Sequence, residues 1–418
     1  ASTVLAGSFT SINPGIPNAV SDPRGPYGGR NPPPNRGTTF DPPLNAAAMP
    51  PRVSLIVKRD AQGRWMDDNN GDWTAFVSGP QAAASGRRVG WTLGDRDIAA
   101  IRVSDLQVSY TTGLMNIGMA LAVNPGNGEV TLVGTDARNE VRFEPNINGK
   151  FITVNLARVA ASGKVVSDLN PHLAGQPATA APSLRERSLG DPRAIAWNAD
   201  GSRGYIAGMG SNNVVVIDAN GARIGQPIRV GEGPVGLALD GARSRLYVWN
   251  HFDASLSQID TATQSERTRL ALFNPLPAAI REGRALLYDT QRTSGGGQVS
   301  CASCHIDARM DRLAWDLGDP SKPPQRFDQN CITQIGQPRC EDFHSMKGPM
   351  TTQTMQDIIG HEPHHWRGDR TGIEAFNPAF KELLGDDVEL TAAEMQDFED
   401  FLSTIHFPPN PFRNFDNS

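Results

Sequence analysis

Pro234-Val235-Gly236-Leu237-Ala238-Leu239-Asp240-Gly241 leads into Leu246-Tyr247-Val248-Trp249-Asn250 and then Ser255-Leu256-Ser257-Gln258-Ile259-Asp260. A near copy stands upstream: Pro192-Arg193-Ala194-Ile195-Ala196-Trp197, Asp200-Gly201, Tyr205-Ile206-Ala207 and Val214-Val215-Val216-Ile217-Asp218. The offsets from Pro192 to Pro234 and from Asp218 to Asp260 are both 42 residues. Short runs of β-branched and aromatic residues bounded by Asp-Gly turns read as strands. A constant period near 40 with several strands per unit is the mark of a β-propeller blade. An earlier unit, Met119-Ala120-Leu121-Ala122-Val123-Asn124-Pro125 followed by Thr131-Leu132-Val133, fits the same scheme, with Ile98-Ala99-Ala100-Ile101 before it as a blade ending. Ala122 to Ala196 is 74 residues, so an insertion of about 30 separates these units, and the Pro- and Ala-rich stretch 160–190 suits it.

Outward from the repeat, the pattern changes on both sides. Residues 1–50 are expected to form a Pro- and Gly-rich loop or a partial blade, with Asn31-Pro32-Pro33-Pro34-Asn35 at the centre of a run without period. Residues 51–272 are assigned to the propeller. Past 275 the periodicity becomes helical: Pro277-Ala278-Ala279-Ile280 through Leu286-Leu287-Tyr288 predicts an amphipathic helix. Thr391 and Glu394 form a capping box ahead of a second helix with Met395, Phe398, Phe401, Leu402 and Ile405 on one face. The domain boundary is placed near 272, leaving 273–418 as a second unit.

That second unit carries Cys301-Ala302-Ser303-Cys304-His305, the Cys-x-x-Cys-His attachment pattern of a c-type haem. Cys301 and Cys304 would hold the porphyrin edge covalently, and His305 would be the proximal iron ligand. The competing reading, a zinc or redox Cys-x-x-Cys, lacks a second Cys pair at zinc-finger spacing. One haem c per chain is therefore expected, and the fold class is mainly β plus α: a β-propeller followed by a helical cytochrome c-type haem domain.

Composition agrees with such a chain and excludes others. It has 418 residues, 20% charged and 38% hydrophobic, and its 42 Gly and 32 Pro suit a turn-rich, largely β protein. The net charge of −6 offers no basic footprint for nucleic acid or anionic membrane, and no apolar run is long enough to span a bilayer. Covalent haem attachment takes place outside the bacterial cytoplasm, so a periplasmic, extracellular or cell-surface location is expected, from a precursor whose export signal has been removed. In that setting the remaining pair, Cys331 and Cys340, is expected as a disulfide, with two free buried thiols as the alternative.

The propeller segment, about 95–265, resembles the tryptophan-aspartate-like propellers of bacterial exported proteins with a repeated Tyr-Val-x-Asn motif. Tyr247-Val248-Trp249-Asn250 matches that motif closely and Tyr205-Ile206-Ala207 loosely. Residues 283–370 resemble the first haem domain of bacterial dihaem cytochrome c peroxidases and their MauG-like relatives. The likeness rests on Gly283-Arg284-Ala285-Leu286-Leu287-Tyr288-Asp289 before the haem motif, on His344 ahead of Lys347-Gly348-Pro349, and on His365-Trp366-Arg367-Gly368-Asp369-Arg370. It implies His344 as sixth iron ligand; the sequence alone also offers Met346, Met350, His361, His364 and His365.

Further roles stay paired with plain alternatives. Trp366 relays electrons or packs against the porphyrin, or is a core Trp; Lys347, Arg367 and Arg370 pair with haem propionates, or are solvated surface charges. Glu374 is the nearest carboxylate for acid–base work on a peroxide. Asp67, Asn69 and Asp72 within Asp67-Asp68-Asn69-Asn70-Gly71-Asp72 either bind calcium or make a polar turn. The cluster His361, His364, His365 is interrupted by Pro363, which breaks the helical spacing a metal pair would use.

Dihaem peroxidases need a second Cys-x-x-Cys-His, and this sequence has one only. Two function classes follow. One is a peroxidase-like redox enzyme served by a redox partner protein or second haem domain. The other is a non-enzymatic electron-transfer cytochrome or assembly subunit whose propeller is a scaffold.

Overall fold

The computed structural model describes residues 16, 19–325 and 342–414. It is mainly β with a smaller helical part. Residues 16–97 form a layer of loops around one apolar cluster, Ile16, Val20, Leu55, Val57, Trp65, Trp73, Phe76 and Val77. This layer holds the short hairpin β1 (Lys58–Arg59) and β2 (Trp65–Met66) and the single turn α1 (Thr74–Val77). Residues 51–97, grouped with the sheets on sequence grounds, thus pack with the Pro-rich segment instead. The Arg142–Asp68 ion pair, 2.6 Å long with side chains 2% and 4% exposed, pins this layer to the rest; Arg142 also donates to the carbonyls of Pro33 and Pro34.

A hairpin, β3 (Ile98–Ile101) and β4 (Val108–Thr111), precedes three four-stranded antiparallel sheets. Sheet I is β5 (Ile117–Val123), β6 (Val130–Ala137), β7 (Ile152–Ala160) and β8 (Gly163–Asp168). Sheet II is β9 (Pro192–Trp197), β10 (Arg203–Gly208), β11 (Asn213–Asp218) and β12 (Arg223–Arg229). Sheet III is β13 (Pro234–Asp240), β14 (Arg245–Asn250), β15 (Ser255–Asp260) and β16 (Ser265–Ala271). Each is an up-and-down meander of neighbouring strands, and sheets II and III start their strands 42 residues apart throughout, as their sequence repeat dictates.

The sheets stack face to face. Val133, Val154 and Leu156 of sheet I pack on Ile195, Ile206, Val215 and Ile217 of sheet II. The opposite face of sheet II, with Tyr205, Val214, Val216 and Ile228, packs on Leu246, Val248 and Ile259 of sheet III. Sheet II is therefore buried on both faces, which is why β10 and β11 read as continuous apolar runs rather than alternating ones. At the turns, Asn124 donates to the Gly201 carbonyl at 3.1 Å; a Cβ on Gly201, whose φ is +70°, would lie 1.9 Å from Asn124 Oδ1. Among the described residues these sheets form an open stack, not a closed ring.

The insertion that separates the repeats is divided. One part, 138–151, lies between β6 and β7 and includes α2 (Glu144–Ile147); the other, 169–191, lies between β8 and β9 and includes α3 (Pro182–Arg185). Both dock the C-terminal part of the chain. Asn139 donates to the Ala314 carbonyl, the Phe143 amide to Asp316, the Gly149 amide to Leu383 and the Ala180 amide to Gly295. Ala137, Ile147, Phe151 and Ile152 share one core with Leu286, Leu287, Val299, Trp315, Phe380, Phe398 and Leu402. The C-terminal part is thus built onto sheet I and its insertions.

Within it, α4 (Ala278–Tyr288) and α5 (Thr290–Thr293) come first, and α6 (Pro378–Glu382) and α7 (Ala392–Leu402) last. The capping box is formed: Glu394 Oε2 accepts from the Thr391 amide, and Thr391 Oγ1 accepts from the Glu394 amide. Met395, Phe398, Phe401 and Leu402 face the core as the period requires. Between these helices the described chain is irregular, with the 3-10 turns Cys301–Ser303, Ile306–Ala308 and Ile373–Phe376 and a two-residue pairing of β17 (Ala314–Trp315) with β18 (Met350–Thr351). The expectation of a wholly helical second domain therefore holds at its ends alone. Frequent Pro and Gly, and paired turns at Asp311 and Asp319, interrupt helix in between.

Candidate haem-attachment site

Cys301, Cys304 and His305 sit on one tight turn. The Cys301 carbonyl accepts from the amides of Cys304 (3.3 Å) and His305 (3.0 Å), and Ser303 Oγ accepts from the Ser300 amide at 3.0 Å. The turn rests against α4 and the shared core, and both sulfurs are free thiols. Burial pushes Cys301 up to about 12 and Cys304 well above the usual thiol range, so neither is a thiolate at neutral pH. Cys301 and Cys304 pack against the margin of the shared core, as do the half-covered apolar side chains Tyr288, Met355, Ile358, Ile359 and Phe376. Among the described residues no three His, Cys, Asp or Glu side chains are grouped so that they could hold a metal ion.

His305 is oriented by the backbone. Its Nδ1 lies 2.8 Å from the Gln353 carbonyl oxygen. A carbonyl only accepts, so Nδ1 carries the hydrogen and Nε2 keeps its lone pair. This is how metal-binding imidazoles are commonly fixed. Burial lowers the His305 pKa, which favours that neutral, ligating form. The segment supplying the Gln353 carbonyl is pinned in turn by the Met355 amide on Ala308 and the Thr352 amide on Leu313.

The same segment brings in His365. Trp366 Nε1 donates to the Thr351 carbonyl at 2.7 Å, anchoring the loop that carries His365 two residues from Gln353. The His365 ring stands edge-on to Phe376, centroids 4.8 Å apart, and Phe376 borders the cluster that holds both cysteines. His365 Nδ1 lies 2.9 Å from Asp369 Oδ1. The carboxylate must accept, so His365 too keeps its lone pair on Nε2. Asp369 is 1% exposed; burial would raise its pKa, but the bond from His365, with Lys347 and Arg370 nearby, holds it down at about 2. His365 itself is lowered by burial, with Asp369 opposing.

His344, the ligand that the resemblance implied, is arranged the other way. Its Nδ1 accepts the Met346 amide at 2.9 Å, so the ring hydrogen belongs on Nε2, and that buried atom has no partner. A nitrogen bearing a hydrogen cannot also donate a lone pair to iron. Met346 is buried with Val53 and Phe143 in a separate apolar cluster. Met350 lies on β18. His361 is exposed, and His364 stacks near Phe376 with its Nε2 3.6 Å from Glu362.

The remaining candidates are distributed. Trp366 is 60% exposed, so it is not a core residue. Arg367 donates to the carbonyls of His344 (2.9 Å) and Met346 (3.1 Å) and lies over the Phe343 ring. Arg370 and Lys347 face Asp369 and Glu144. Glu374 is exposed and accepts from Thr371 at 3.1 Å. Asp67 accepts from Tyr27, the Asn69 and Gly71 amides and Trp73 Nε1; Asn69 bonds to the 34–37 loop and Asp72 to the Thr74 amide. Those oxygens are spent on a polar turn rather than turned toward a cation. Cys331 and Cys340 lie outside the described residues.

Sequence reasoning missed three residues here. Gln353 acts through its carbonyl, which no side-chain pattern reports. Asp369 stands four residues after His365, and nothing in the sequence marks it as that ring's partner. A third, Asp316, is 2% exposed with both carboxylate oxygens unpartnered, and burial pushes it up to about 7.

No protein-family model matches the chain, and no curated protein matches it. Among solved structures, a nidogen–laminin complex matches at 16% identity and TM-score 0.30, over 43% of this chain and 56% of that one. A functionally unknown protein from Desulfotomaculum acetoxidans matches at 15% identity and TM-score 0.26, over 42% and 47%. The chain thus spans about half the length of these structures, and similarity at that level decides nothing about it.

Proposed function

We propose that this chain is an exported redox protein that would carry one haem c on Cys301 and Cys304, with His305 and His365 as the residues that would hold its iron. The observation that carries the reading is the matched pair of imidazoles: each has Nδ1 held by an acceptor, so each offers Nε2 to iron. The bound haem would supply a one-electron couple, and two histidine ligands would keep it low in potential and closed to small ligands. The chain's own residues then do the rest. Gln353 and Asp369 fix the two rings, and the half-covered apolar margin would shed water from the porphyrin faces. Electron transfer is favoured over peroxide chemistry because Glu374 is exposed and bonded to Thr371. The three stacked sheets are consecutive blades of a β-propeller scaffold in this reading, with the haem part seated on the rim formed by the loops at 188–191, 209–212 and 251–253.

The test is spectroscopic, on full chain produced with a cytochrome c maturation system. One covalently bound haem per chain is expected, lost in the Cys301→Ser/Cys304→Ser variant. Optical and EPR spectra should be fully low-spin and indifferent to peroxide. His365→Ala should give a high-spin, carbon monoxide-binding haem, whereas His344→Ala should stay low-spin. If His344→Ala alone opens the iron, the assignment of His365 is wrong. A wild-type high-spin fraction that reacts with peroxide would restore the peroxidase reading.

A further inference from the structure

Sheets II and III are built on one repeat but are buried differently. In sheet II, Tyr205, Val214, Val216, Ile228 and Val230 make the face that packs on sheet III. Forty-two residues on, the same positions of sheet III hold Tyr247, Leu256, Gln258, Leu270 and Leu272. The cross-strand pairs Tyr247–Gln258, Trp249–Leu256 and Leu256–Leu270 put these side chains on one face. Ile228 is 4% exposed and Val230 7%, yet Leu270 is 59% exposed and Leu272 48%. The burial of β14 and β15 alternates, buried inward and half-open outward, where β10 and β11 are buried throughout. The outward face of sheet III thus repeats an established inter-sheet interface, with no partner sheet on it among the described residues.

The other end of the stack is open as well. The hairpin β3–β4 packs on sheet I through Ile98, beside Leu114 and Met115. Its reverse face carries Ile101, Val108 and Tyr110, brought together by the pairs Ile101–Val108 and Ala99–Tyr110 and each between 46% and 49% exposed. One end offers the face that normally receives a following sheet, and the other offers a strand pair with an apolar face and, among the described residues, no preceding sheet.

We propose that these two faces bind each other between two copies of this chain, head to tail. A second copy is the occupant that supplies both halves of the contact. Two copies turned about a common axis would bring together six four-stranded sheets and two hairpins, which suits closed rings of about four to eight blades. The contact needs only the sheet stack and is independent of the haem reading.

The test is the mass of the full chain in solution, by light scattering across a concentration series. Wild type should give two or more 45.0 kDa chains per particle. Leu270→Asp/Leu272→Asp at one end and Ile101→Asp at the other should each weaken association by at least about tenfold, since each desolvates a charge at the contact. All three substituted side chains are exposed, so the fold should survive, which circular dichroism checks. Val165→Asp, on the exposed edge strand β8, should leave the mass unchanged. A wild type that stays at one chain per particle at the highest concentration, or an assembly indifferent to either end variant, overturns the proposal.

Discussion

At the scale of single residues, which nitrogen carries the proton decides between candidates that the sequence leaves level. His344 and His365 are both histidines in the right part of the chain; one accepts an amide and the other donates to a carboxylate. The two pairings span only two and four residues, but whether they form depends on the conformation of irregular loops held by tertiary contacts, so only Cys301, Cys304 and His305, a contiguous pattern, were legible beforehand. Asp316 makes a separate prediction. Its folded pKa of about 7 stands above the ordinary carboxyl value, so the folded state binds the proton more tightly than the unfolded chain does. Stability should therefore fall as pH rises from about 4 to about 7. Asp316→Asn should flatten that fall by about 1–4 kcal/mol, read from urea unfolding at pH 5 and pH 8. An unchanged slope would mean that Arg142 and Lys347 keep the carboxylate ionised.

At the scale of elements, the helices α4 and α7 were readable because their signals are local: Pro277 before the first, a capping box before the second, and a helical apolar period in both. Their mutual approach was not. Gly283 lies where α4 meets α7; a Cβ there would sit 1.8 Å from the Asp397 carbonyl oxygen and 2.7 Å from the Phe401 Cβ. Gly283→Ala should cost about 3 kcal/mol or more by forcing the helices apart, although alanine favours helix in isolation. Thr391→Ala should cost about 1 kcal/mol, the usual loss for an N-cap. Thermal unfolding of the two variants checks the ranking, and a milder effect for Gly283→Ala would show that α7 can shift at little cost. Residues 303–325 and 342–376 resisted sequence reading because loops follow their tertiary partners rather than a period of their own.

At the scale of the whole molecule, three layers are joined by few but buried contacts. Arg142 links the N-terminal layer to the insertion of sheet I through Asp68, Pro33 and Pro34. Arg142→Met leaves Asp68 buried without its partner and should cost about 3–5 kcal/mol in chemical denaturation. Arg142→Met/Asp68→Leu should recover a good part of that loss, because the unpaired charge is gone. If the double variant is no better than the single, the bonds to the Pro33 and Pro34 carbonyls matter more than the ion pair. The 42-residue repeat fixed the strand register of sheets II and III because strand period and turn spacing are encoded residue by residue.

By itself, then, the sequence determined the repeating sheets, the helices α4 and α7 and the Cys301-to-His305 motif, all of which depend on neighbours within a few tens of residues. Tertiary structure alone decided that residues 51–97 join the N-terminal layer, that the insertions of sheet I carry the C-terminal part, and that Nδ1 of His365 meets a carboxylate where Nδ1 of His344 meets an amide. The reason is physical. Burial and loop conformation are set by packing between separate segments, and no local pattern records which of them will meet.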